Sequence, residues 1–389
     1  MSSLARCGLA AMLAVLALGA PVRALAVGPF GPRAYVPNLD SEDLYVLDTA
    51  RLSLLATVPI GEGNHDGLCV DTCPFGAAVS PDATRVYVTL FARGLTVLET
   101  ACNQIIASVS LGAFPGSSGV AITPDGKRVY VTNQSEDSVS VIDAATITVI
   151  GTIPVAGEPL GIDVAPDGAS TYVVSVFGEG RDRGTVSIIS SVSSSVTKVI
   201  PVGVAPVGIA VSPDGARAYV TNFFGDDPTR GSNGTVSVLD AGSQEIVGTI
   251  TVGSGPSLVA VSPDSHTVYV ANECGATFPC DSRREIGSVS VIEAGTVTAE
   301  IPVGRGAEGL AVTPDGGRVL VTNFCDDNAV NCGSNAGSVS VIDAASKSIV
   351  GTIPVGRGPL SWGKFIAPKA IPPRKCPTPG VSRRHQGPN

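Results

Sequence analysis

Aromatic side chains account for only 5% of the 389 residues, with one Trp, and there are just three His and two Met. So few large rings exclude a core filled by bulky side chains, and three histidines leave little choice of base for a Ser/His/Asp or Cys/His mechanism. No segment sustains a 3.6-residue hydrophobic period, which excludes stacked amphipathic helices. No run of 18 apolar residues occurs either, so no stretch is long enough to span a bilayer as a helix. Excess positive charge is also missing: 25 Lys and Arg face 34 Asp and Glu, a net of −9, which removes the electrostatic footprint of a nucleic-acid binder.

The chain has instead 46 Gly, 29 Pro and abundant Val, Ile, Ser and Thr, arranged as a repeat. The tetrapeptide Tyr-Val-Thr-Asn or a near copy starts at Tyr35, Tyr87, Tyr130, Tyr172, Tyr219, Tyr269 and, with Leu for Tyr, Leu320. Successive copies lie 52, 43, 42, 47, 50 and 51 residues apart. One unit of about 42 residues has therefore been copied with insertions, a period that suits a four-stranded propeller blade.

The unit around Tyr219 reads as four strands, a to d: Val207 to Ser212, Arg217 to Asn222, Thr235 to Asp240 and Ile246 to Val252. Pro213-Asp-Gly215 joins a to b, because Pro presets the turn, Asp bonds its own main chain and Gly takes the awkward last place. Val and Ile alternating with Ser, Thr, Ala and Gly favour pleated sheet. Small side chains also suit sheets packed on both faces at about 10 Å. The first copy, at Tyr35, has no strand a before it, whereas Gly358 to Pro368 after the last copy fits that register. The expected fold is all-β: a seven-bladed β-propeller of four-stranded antiparallel blades, whose C-terminal strand completes the first blade and covers its edge.

Three regions are expected. Residues 1–26 combine a basic start at Arg6, an apolar run from Leu9 to Leu18 and a small-residue site at Ala24-Leu-Ala26, the pattern of a secretory signal peptide. Residues 27–368 form the propeller, and residues 369–389 a Pro/Arg-rich disordered tail. The mature chain, at a net −11, is expected to be an exported monomer without a membrane span, in the periplasm, secreted or on the cell surface.

Losing Cys7 leaves eight cysteines, an even number that in an exported chain suggests disulfides. Cys274 with Cys280 and Cys325 with Cys332 each share a b–c loop, and Cys69 and Cys73 lie together between the first two units. Cys102, in a c–d turn, and Cys376, after the closing strand, are the remaining pair. Spacings of this kind are poor for zinc, and no metal or other cofactor is expected.

In such a ring the b–c and d–a loops share one face. The insertions all lie there: Ile60 to Pro74, Gly178 to Gly184, Phe223 to Gly234, Glu273 to Gly287 and Phe324 to Gly337. Elaborated loops on a rigid scaffold are where function concentrates. Asp226, Asp227, Asp326 and Asp327, each pair followed by Asn, are weak calcium candidates and match no twelve-residue calcium loop. His65 beside Asp66 is a weak acid/base candidate. Arg305 and Arg357, in two Val-Gly-Arg-Gly turns, together with Glu308, are placed at the channel mouth as ligand-binding candidates. Glu158 and Asp163 are placed there too, near the starts of inner strands. Trp362 is assigned to packing of the closing strand.

The repeated Tyr-Val-Thr-Asn, Ser/Thr-Pro-Asp-Gly, Val-Ser-Val-Ile-Asp and Gly-Thr-Ile-Pro-Val-Gly segments resemble the YVTN-type β-propeller repeat family over about residues 33 to 367. That resemblance implies an exported or cell-surface propeller of bacteria or archaea. Lactonases and amine dehydrogenase subunits share the repeat type more distantly. This chain has no Cys-x-x-Cys-His haem attachment and no convincing acid/base set. The expected function is a non-catalytic binding or scaffold protein that holds a protein, glycan or envelope component on the b–c/d–a face. The alternative is a lactonase-like or other hydrolase with a site at the channel mouth.

Overall fold

The computed structural model describes residues 31–61, 73–178, 182–226, 233–275, 285–325 and 336–371. Among these, the strands fall into four-stranded antiparallel repeats met in the order a-b-c-d. Repeats 2 to 5 are separate sheets, beginning at strands Pro74–Val79, Ser117–Ile122, Gly157–Val164 and Pro206–Val211. Repeats 6 and 7 merge into one seven-stranded sheet. Its long strand, Thr296–Val312, serves as strand d of repeat 6 and strand a of repeat 7. In repeat 1 the outermost partner comes from the other end of the chain. Ile366–Ala370 pairs with Pro32–Asn38 at Pro32↔Ala370 and Ala34↔Ile366, and Asn38 bridges Pro359.

The tight turns form for local reasons. In the a–b turn of repeat 5, Ser212 Oγ donates to Asp214 Oδ1 (2.5 Å), which also accepts the Ala216 N–H (3.0 Å). Gly215 takes the left-handed φ of +72° that the turn needs. At the c–d turn, Asp240 Oδ1 accepts the Ser243 N–H (2.8 Å). The same device recurs at Asp143 and Asp343.

The repeated tetrapeptide joins one repeat to the next. Its Thr hydroxyl accepts the N–H of the glycine in the repeat's own strand a and donates to a carbonyl on the neighbouring strand a. Thr132 takes Gly119 N at 2.8 Å and gives to Leu160 O at 2.8 Å, and Thr221 takes Gly208 N at 2.8 Å and gives to Ser257 O at 2.6 Å. Adjacent inner strands approach closely enough to need that glycine: a Cβ on Gly119 would sit 2.3 Å from Leu160 O. The Asn is fully buried and donates to two strand-c hydroxyls. Asn222 Nδ2 reaches Thr235 and Ser237, and Asn323 Nδ2 reaches Ser338 and Ser340, at 2.9–3.0 Å.

Arginines at the start of strand b provide a second joint on the outer side. Arg33 donates to Thr100 O (2.6 Å) and Arg128 to Ser191 O (2.7 Å), each reaching the c–d turn of the next repeat. Arg318 of repeat 7 does the same to Thr49 and Ala50 of repeat 1. The apolar core follows the same path. One cluster packs Leu320, Val339 and Ile353 of repeat 7 against Ala34 and Leu47 of repeat 1, and continues to Val86 of repeat 2. Strand d is the outer one, with an exposed face that includes Ile150 and Val247.

Candidate functional site

The inner strands of the repeats line a channel whose two ends differ. Toward the a–b turns it opens as a cup of about 530 Å³ walled by Val, Ile and Ala. Its rim is the proline that opens each a–b turn, from Pro81 round to Pro314, together with Pro368 of the strand Ile366–Ala370. Leu258 and Trp362 line the cup and pack with Leu160. Leu258 stands where the other inner strands carry Gly76, Gly119, Gly161, Gly208 and Gly309, so a side chain enters the lumen there. The same repeat has Ala271 where the tetrapeptide has Thr. Ser257 makes good the lost joint by donating to Ala307 O (2.9 Å) and Glu308 O (3.0 Å).

One ion pair lies in the cup. Lys364 Nζ is 2.8 Å from Asp163 Oδ1. Asp163 is 5% exposed, and its carboxylate also accepts the N–H of Val164 (Oδ1, 2.9 Å) and of Val211 on the next inner strand (Oδ2, 2.9 Å). The expected placement of Asp163 at the loop-side mouth is therefore corrected. It is the next-to-last residue of Gly157–Val164, paired with Tyr172, and faces the turn end. Sequence reading missed Lys364 altogether. A signal existed, because Asp163 replaces an alanine: Ala78, Ala121, Ala210, Ala260 and Ala311 hold the same register position in the other repeats.

The loop end carries the insertions. Arg183 donates to Asp226 O (3.1 Å) and lies 4.0 Å from its carboxylate, tying the b–c loop of repeat 4 to that of repeat 5. Val204 N–H bonds Gly225 O (2.7 Å), which docks the repeat 5 loop on the connection leading into that repeat. On the opposite side, where the b–c turns are short, aromatic rings run outward from Trp362. Trp362 meets Phe75 edge-on at 4.9 Å, Phe75 meets Phe91 at 5.8 Å, and Phe91 meets Phe114 at 5.9 Å. Phe114, at the end of this run, is 53% exposed.

The expected ligand-binding residues do not converge. Arg357 donates to Asp40 O (3.1 Å) and its N–H bonds Ser41 Oγ (3.1 Å), so it braces the b–c turn of repeat 1. Arg305 pairs through its main chain with Ile286 and Cys325. Glu308 keeps a little solvent contact although protein surrounds it on nearly every side. Burial pushes its carboxyl well above the usual range, and the negative charge of Glu273 adds to the effect. Glu158, the second residue of the strand Gly157–Val164, takes a left-handed φ of 53°, and its N–H bonds Asp137 Oδ1 (2.8 Å). His65, Asp66, Asp227, Asp326, Asp327, Cys69, Cys280, Cys332 and Cys376 lie outside the described residues. Among the described residues, no group of three or more His, Cys, Asp and Glu is placed to hold a metal. No helix there is long and apolar enough to cross a membrane.

A family model described as YNCE-like beta-propeller matches residues 114–217. The chain is a β-propeller repeat protein. Solved structures resemble the propeller over most of its length. Hydrazine synthase of Kuenenia stuttgartiensis superposes with a TM-score of 0.64 at 22% identity, covering 77% of this chain and 92% of that one. A functionally unknown protein from Desulfotomaculum acetoxidans gives 0.65 at 18%, covering 87% and 99%. The dihydro-heme d1 dehydrogenase NirN gives 0.53 at 16%, covering 84% and 74%. At these identities the likeness is one of fold. No curated protein matches the propeller by sequence.

Proposed function

We propose that this protein is an exported, non-catalytic binding propeller that holds a protein or glycan of the cell envelope on its b–c/d–a loop face. The observation that carries this reading is the Phe75–Phe91–Phe114 run, which ends in a half-exposed ring among the short b–c turns, across the loop face from the raised loops of repeats 4 and 5. Exposed aromatic anchors within a polar rim are what recognition surfaces favour. Supporting the scaffold role, the core cluster that joins repeat 7 to repeat 1, the Arg318 bond and the Ile366–Ala370 strand fit a ring of seven blades closed by the C-terminal strand.

Export agrees with the leader-like pattern of residues 1–26 and with disulfides linking Cys69 to Cys73, Cys102 to Cys376, Cys274 to Cys280 and Cys325 to Cys332. Cys274 and Cys325 are fully buried where their loops begin. A nonreducing peptide map showing Cys376 as a free thiol would remove the tail link.

The function is tested by pull-down from an envelope fraction with the mature chain as bait. Phe114→Ala combined with Phe91→Ala is expected to lose the captured component while the melting temperature stays within a few degrees. Turnover of a lactone or ester panel that His65→Ala abolishes would replace the binding reading with a hydrolase.

A further inference from the structure

The cup on the turn face is built as a ligand site, independently of the loop-face binding proposed above. Its volume of about 530 Å³ falls within the range of small-molecule pockets, which are apolar with a few placed polar groups. Its floor is made by two departures from the repeat, Leu258 for Gly and the lone Trp362.

The polar groups are few and defined. Asp163 is 5% exposed, and two main-chain N–H groups already neutralise part of its charge. The Lys364 ammonium touches it with one of three donors while the lysine side chain remains 72% exposed. Trp362, 8% exposed, lines the cup, while its indole nitrogen is itself closed off from solvent and contributes no donor to the lumen. The group on offer to a guest is thus the Lys364 ammonium, set in an apolar wall. A guest with an apolar body and an anionic acceptor matches it, whereas an amine or a sugar does not.

We propose that the cup binds a small amphiphilic monocarboxylate, its apolar part against the Val and Ile walls and its carboxylate on Lys364 Nζ. Asp163 is the positioning residue: it holds the lysine across the lumen and competes with the guest for its charge.

The sole tryptophan lines the floor, so intrinsic fluorescence of the full mature chain reports occupancy. Titration with hexanoate and 4-phenylbutanoate is expected to shift the emission saturably, with 1-hexanol weaker and hexylamine without effect. Lys364→Gln is expected to weaken hexanoate binding by about tenfold or more, the size of one charge-assisted hydrogen bond, and to leave hexanol unchanged. Asp163→Asn keeps an oxygen for the Val211 N–H and frees the lysine, so it is expected to tighten hexanoate binding several-fold. Far-UV circular dichroism and a melt check that both variants fold. The proposal is overturned if no carboxylate shifts the emission up to about 10 mM, tenfold weaker than a millimolar site. It is equally overturned if acid and alcohol bind alike, or if Lys364→Gln leaves the acid affinity unchanged.

Discussion

The two ends of the channel are made by the same inner strands and have opposite characters. At the turn end repeats 2 to 7 each contribute a short Pro-Asp turn, so the cup rim is regular and the charged wall residues Asp163 and Lys364 break the pattern. At the loop end the repeats differ in length, and order depends on contacts between unlike neighbours such as Arg183 with Asp226. Regularity at one end frees the other to vary, because the Thr, Asn and Arg joints run from strand b to strands a and c, to the c–d turn and to the glycine that leads into strand a, and none of them uses an inserted loop.

The comparison breaks most severely if the ring is opened. Ending the chain after Lys364 removes fully buried Phe365 together with Ile366 and Ala367, and bares the Pro32–Asn38 strand. Aggregation on size-exclusion chromatography is expected, and Phe365→Ala alone is expected to destabilise by about 3–5 kcal/mol in denaturant melts.

Next come the joints. Asn323→Ala strands the Gly304 N–H and the Ser338 and Ser340 hydroxyls, a loss of about 1–3 kcal/mol in chemical denaturation. Repeat 4 offers the reverse test. There Ser175 replaces the Asn, and the hydroxyls of Ser175, Thr185 and Ser187 are buried without partners. Ala156 replaces the usual glycine, whose Cβ in repeat 5 would lie 2.4 Å from Asn222 Cγ. Ser175→Asn alone should therefore destabilise. Adding Ala156→Gly should reverse the sign and gain about 1 kcal/mol, a non-additive pair in the same melts.

The two ends should also respond oppositely to pH. Turn aspartates such as Asp125, Asp214 and Asp315 are held below the usual carboxylate range, first by the Ser or Thr hydroxyl two residues before and then by main-chain N–H groups. Their contribution is complete above an unfolded pKa of about 3.9 and is lost as pH falls through the lower folded values. Glu308, pushed upward, behaves in the opposite sense. Its burial is tolerated below about pH 4.3 and is increasingly penalised as pH rises toward its folded value. Glu308→Gln is expected to raise the melting temperature by a few degrees at neutral pH and to change it little near pH 4.

The smallest effect belongs to the exposed bridge. Arg183→Ala should alter stability by less than about 1 kcal/mol, so any loss of partner capture it causes reports on the loop face itself.

The repeat was legible because the tetrapeptide residues carry the joints: Thr and Asn each satisfy groups on two strands, which fixes both residue type and spacing. The turns were legible because Pro, Asp and Gly each meet a separate backbone requirement. The cup was not, because Asp163 looks like any acid near an inner strand until it is set against the alanines in its own register. Lys364 lies between the Pro359 bridge and the strand Ile366–Ala370, where the strand a register expected for Gly358 to Pro368 is interrupted, so the repeat alone does not place its side chain. Its partner becomes visible only once the last inner strand stands across the lumen from the fourth repeat.

The pairing of residue 32 with residue 370 also sets a timetable. The first repeat emerges from the ribosome or translocon with one edge open, and stays so until nearly the whole chain has followed. Contacts of such long sequence separation form slowly. The open edge is therefore the point where a chaperone has most to protect, and where a second copy of the chain has its best chance to intrude.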